Sequence, residues 1–151
     1  MVDLTPDQLV AKITAVAKAA HVGAYKGMQV ACLARQATAM KYCTSGESPF
    51  DPMVFPTKIG GTGAPIDTGN LRAHIYMMVE DKDDEIVGGV GCGDTGKGRA
   101  SVDGYAGHVH NGTSKMEARP FIELALTNEE ADTKKRISDG TWDAIRQAAL
   151  I

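Results

Sequence analysis

The hydrophobic pattern opens with a long helical stripe. Leu9, Ile13, Val16, Ala17 and Ala20 recur at helical spacing, opposed by Asp7, Lys12 and Lys18. The start is marked by Thr5 as N-cap, Pro6 at the first helical position, Gln8 completing a capping box, and a Leu4/Leu9 staple. Met28, Cys32, Arg35, Gln36, Ala39 and Met40 continue the pattern, while Gly23 and Gly27 each weaken it by roughly 1 kcal/mol. This predicts one long helix bent near Gly23, or two helices in sequence. The Tyr25, Met28 and Met40 positions read as core packing.

The pattern then lapses. Residues 43–67 hold Pro49, Pro52, Pro56 and Pro65 among four glycines, which makes a long loop. Phe50, Met53, Val54, Phe55 and Ile59 are apolar for a solvated linker, so this arm is expected either on a neighbouring subunit or folded back on its own domain. After a turn at Asp67-Thr68-Gly69, Ile75, Met77 and Val79 alternate with His74, Tyr76 and Met78 as a first strand. The acidic run from Glu80 to Glu85 makes a hairpin tip, without the ligand order of a calcium loop. In the second strand Ile86, Val90 and Cys92 share one face, while Gly89, Gly91 and Gly93 leave the other almost bare, open to a helix backbone or another subunit.

Further along, Tyr105 and Val109 form a helical pair that Gly112 ends. Arg119, before a proline, is expected to be extended, with a short helix beginning at Pro120 and carrying Phe121, Ile122, Leu124, Ala125 and Leu126. The C-terminal stretch orders its acids early and its bases late, as a helix dipole favours. Ser138-Asp139-Gly140 is expected to interrupt it, with Thr141 capping a last helix that presents Trp142 to the core or to a partner. Together these elements predict an α+β domain: a long N-terminal helix or helix pair and C-terminal helices packed on a small antiparallel sheet.

Composition narrows the picture. The 151 residues suit a single domain, and 43% hydrophobic content with 5% aromatics predicts a thin core of small side chains. A net charge of −3 and no basic run disfavour sequence-specific nucleic-acid binding. Cys32, Cys43 and Cys92 lack any CxxC pairing and read as buried thiols of a protein made in a reducing cytoplasm. No stretch has the length of a membrane span, and the N-terminus has no signal-peptide pattern, so a soluble protein is expected.

Candidate chemistry is sparse. Gly91 to Gly96 fits G-x-G-x-x-G, and Gly91 to Lys97 fits a P-loop up to its last position, where Gly98 replaces the hydroxyl that binds magnesium. A nucleotide-binding enzyme built on the Gly91–Gly98 loop is the alternative reading. His108 and His110 would share a side on a strand and could chelate a metal, but on a helix they diverge. Neither pattern is complete, and no catalytic residue, cofactor or metal is assigned.

Two segments carry a family likeness. Pro65-Ile66-Asp67-Thr68-Gly69-Asn70-Leu71-Arg72 and the run from Tyr105 to Phe121, with Ala106, Val109, Gly112-Thr113-Ser114-Lys115-Met116 and Ala118-Arg119-Pro120-Phe121, stand in this order. In this the chain resembles the tail-completion or neck proteins of tailed bacteriophages. It departs from them at His110, where an acid is usual, and in an apparent insertion from Cys43 to Ala64. The resemblance implies a structural virion protein, not an enzyme, that joins head to tail as a six-copy ring. Its partners would be the phage connector and the tail-terminator or tail-tube proteins, with DNA passing through the lumen without sequence-specific binding. It would be found in the virion, after assembly in the host cytoplasm. Asp67, Thr68, Gly69, Leu71, Arg72, Gly112, Thr113, Arg119, Pro120 and Phe121 are expected at or beside the subunit interface.

Overall fold

The computed structural model describes residues 5–43, 70–82, 85–93, 101–114 and 118–150. The 43–67 arm beyond Cys43, the Asp67-Thr68-Gly69 turn and the Gly-rich loop from Asp94 lie outside these residues. Seven elements follow in order: α1 (Pro6–Tyr42), α2 (Asn70–Ala73), β1 (Ile75–Lys82), β2 (Glu85–Cys92), α3 (Ser101–Asn111), α4 (Phe121–Asn128) and α5 (Glu130–Ala149). The fold is α+β, a long N-terminal helix and C-terminal helices around a two-stranded antiparallel sheet.

Helix α1 begins where its capping box places it. The Gln8 N–H donates to Thr5 Oγ1 (3.4 Å), and the Thr5 N–H donates to Gln8 Oε1 (2.9 Å). It then runs as one helix through Gly23 and Gly27. Both glycines face α5: a Cβ on Gly23 would lie 2.5 Å from the Gly140 carbonyl oxygen, and one on Gly27 would lie 2.7 Å from Ile137 Cα. As numbers rise along α1 they fall along α5, so the two helices pack antiparallel at a distance only glycine allows. The helix-propensity cost of these residues is offset by backbone-to-backbone contact.

The same contact corrects the expectation of a break at Ser138-Asp139-Gly140. Helix α5 is continuous from Glu130 to Ala149, and Thr141 Oγ1 donates to the Ile137 carbonyl (2.7 Å) as a mid-helix side chain does. Gly140 reads as a breaker in isolation but serves the crossing, since a Cβ there would lie 2.9 Å from the Gly23 carbonyl oxygen. Trp142 is 55% exposed, so it does not anchor the core.

The hairpin pairs Ile75 with Cys92 through to Lys82 with Glu85. A lone two-stranded sheet is marginal in water and needs a helix against one face. Here α1 supplies it: Gln36 Nε2 donates to the Ile75 carbonyl (2.7 Å), and Gly88 rests on Met28 and Cys32. The bare face anticipated at Gly89 and Gly91 is otherwise arranged. The Tyr76 ring lies over Gly91 and Met78 lies over Gly89, and the glycine that admits the helix is Gly88.

The core sits at the C-terminal end of α1 and is thin, as the composition predicts. Ala39, Tyr42, Cys43, Leu71, Ile75, Ala106, Val109, Phe121 and Ala125 form one buried cluster. The Asn128 side-chain amide donates to the Tyr42 hydroxyl, tying the end of α4 to the end of α1.

Candidate assembly surface

The two segments that carry the family likeness meet inside the core. Leu71, from the first, and Val109 and Phe121, from the second, belong to the same buried cluster. Leu71 is 4% and Phe121 2% exposed, so these side chains hold the segments in place and offer no surface of their own. Arg72, next to Leu71, is exposed.

The second segment is stitched together through its backbone. Helix α3 ends at Asn111, and Gly112 takes φ of 76°, the left-handed conformation that ends a helix most cheaply with glycine. The chain then returns past the same helix, where the Arg119 N–H donates to the Val109 carbonyl (2.9 Å). Pro120 has φ −76° and ψ 62°, and the Phe121 N–H reaches the Arg119 carbonyl (2.8 Å), which makes an inverse γ-turn. Helix α4 therefore starts at Phe121 with Pro120 as its N-cap, one residue later than expected, because the turn takes Pro120 out of the helix. The outcome is a rigid ledge: Thr113 exposed, Gly112, Arg119 and Pro120 half-buried, and Phe121 locked beneath.

His110 packs edge-on against Phe121, with ring centroids 5.7 Å apart and an interplanar angle of 78°. His108 is exposed, so the two histidines occupy different sides of α3. Among the described residues no group of three His, Cys, Asp or Glu side chains is gathered as a metal would require. Of the Gly91–Gly98 motif, Gly91 and Cys92 lie in β2, where Gly91 pairs with Tyr76. The rest of that motif falls outside the described residues.

An open groove of about 420 Å³ runs between α1, α4 and α5, lined by Arg35, Leu126, Thr127, Glu130, Thr133 and Lys134. Its charges are largely spent on each other, with Lys134 Nζ 2.6 Å from Glu130 Oε1. Above it Glu129 takes Thr38 Oγ1 (2.9 Å) and Arg136 Nη1 (2.7 Å), and the Arg136 hydrogen bond holds its carboxyl below the usual glutamate range. The groove offers no nucleophile beside a base.

What the chain leaves uncovered is apolar. Helix α1 buries the side that meets α5 and the sheet, yet Val22, Val30 and Leu33 on its remaining side are each at least half exposed. Near its start Leu9, Val10 and Ile13 are also exposed, and Met78 and Val87 mark the outer face of the sheet. A helix that is apolar on opposite sides calls for neighbours on both, and large uncovered apolar patches mark contact sites. The sequence reading found the ledge but missed this surface, because apolar positions all around α1 blur any single stripe. Among the described residues, no helix is long and apolar enough to cross a membrane. Searches of protein-family models, curated proteins and solved structures each return no match to this chain.

Proposed function

We propose that this chain is a structural protein of the phage neck, a tail-completion or head-tail joining component that assembles as a ring between the head connector and the tail tube. The two ordered segments, Pro65 to Arg72 and Tyr105 to Phe121, give the reading its family. The observation that carries it is the uncovered apolar side of α1, a 37-residue helix that one copy leaves half wrapped. A ring supplies the missing neighbour. In a ring each copy uses two different surfaces, and closure follows from the rotation between adjacent copies. The mechanism is shape and surface complementarity, with the Gly112 to Phe121 ledge and the Arg72 region fixing the angle at which neighbours meet. DNA crosses the lumen without being read.

The test is Arg119→Ala in the phage. Particles should lose this protein and tails should fail to join, while the purified variant melts close to the parent. A normal yield of tailed particles from this variant refutes the role of the ledge.

A further inference from the structure

Charge is unevenly divided along the chain. Helix α1 carries five of the sixteen Lys and Arg residues but only one of the nineteen Asp and Glu residues, Asp7. The remainder of the chain is correspondingly acidic. At 3.6 residues per turn, the α5 contacts at Gly23 and Gly27 and the sheet contacts at Met28 and Cys32 occupy one side of α1. Val22, Lys26, Val30 and Leu33 fall within about 80° of arc on the opposite side, flanked by Lys12 and Lys18. This side is therefore apolar along its middle and basic along its margins, with no acid on it.

The outer face of the hairpin is its complement. Tyr76, Met78 and Glu80 on β1 alternate outward with Glu85 and Val87 on β2, so an apolar middle leads to an acidic end. Lengths agree as well: eight strand residues span about 26 Å, and residues 18–33 of α1 span about 22 Å. We infer that the open side of α1 in one copy seats the outer face of the β1–β2 hairpin of the next copy, head to tail, with Lys18 and Lys26 beside Glu80 and Glu85. Each sheet is then clasped between its own α1 and a neighbour's. The inference rests on the ring reading above and names the surfaces that make the ring.

Two single-face variants of the full chain decide it, both at exposed positions. Leu33→Glu spoils the α1 side and Val87→Lys spoils the sheet side, and thermal melts close to the parent show that both fold. By sedimentation across the micromolar range the parent self-associates, and each variant alone does so about thirtyfold more weakly, the effect of losing one buried side chain. Mixed together, the two variants form a one-to-one pair that grows no further, since each brings one intact face. A parent that stays monomeric, or variants that remain apart on mixing, overturns the inference. A basic face that instead takes up duplex DNA, with Lys18→Glu and Lys26→Glu abolishing that binding while self-association is unchanged, overturns it too. The two readings fail separately: head-to-tail pairing by a protein absent from virions sinks the neck assignment alone, and a virion protein whose mixed variants stay apart sinks this interface alone.

Discussion

Gly23 and Gly140 face each other across the α1–α5 crossing with no room for a side chain on either. A methyl group on Gly23 would come within 2.5 Å of the Gly140 carbonyl oxygen, and one on Gly140 within 2.9 Å of the Gly23 carbonyl oxygen. Both obstacles are backbone, which cannot turn aside as a flexible side chain can. Gly23→Ala and Gly140→Ala should therefore each destabilise by about 1–3 kcal/mol, the scale of overpacking, even though alanine is the better helix former. Gly107 in α3 is the control, because nothing lies within 4 Å of a Cβ placed there. Gly107→Ala should stabilise by about 0.5–1 kcal/mol. Urea unfolding of the three variants checks both signs.

Glu129 joins the α4–α5 corner to α1 by accepting hydrogen bonds from Arg136 and Thr38. Those partners lower its folded pKa, the Arg136 bond most of all, below the unfolded value of about 4.3. The unfolded chain then binds the proton more readily, so the stabilisation is full above about pH 4.3 and is lost as pH falls through the lower folded value. Glu129→Gln should cost roughly 1–3 kcal/mol at neutral pH, the usual range for hydrogen bonds to a charged group. The gap between variant and parent should narrow in acid, as denaturant midpoints at neutral and acid pH will show.

The thiols should react in a fixed order. Burial pushes the Cys43 thiol up to about 12, with a contribution from Cys92, and burial also raises that of Cys32. Both are buried, whereas Cys92 is partly accessible and donates to the Leu71 carbonyl at 3.4 Å. Since the thiolate is the reactive form, iodoacetamide at mildly alkaline pH should modify Cys92 first. Cys32 and Cys43 should follow only on unfolding. Peptide mass spectrometry after timed quenching reads the order, and early modification of Cys43 would contradict it.

Local signals in the sequence carried far. The start of α1 follows from Thr5, Pro6 and Gln8, the hairpin from the alternation after Ile75, and the end of α3 from Gly112, because each is decided by residues within a few positions of one another. The continuity of α5 was hidden, since Gly140 breaks a helix in isolation and is tolerated only because Gly23 and Gly27 lie opposite, over a hundred residues earlier. Gly88 was passed over for Gly89 and Gly91 on similar grounds. Which strand face receives α1 depends on Met28 and Cys32, and no strand pattern contains them. Of the proposed interface, the polar turns were legible by composition. Burial of Leu71 and Phe121 and exposure of Val22, Val30 and Leu33 are tertiary facts.

The most direct measurement is a density map of whole virions, with this chain fitted at side-chain detail. The account predicts a closed ring of copies between the head connector and the tail tube, with the open side of each α1 covered by its neighbour. Absence of the chain from mature particles would contradict it.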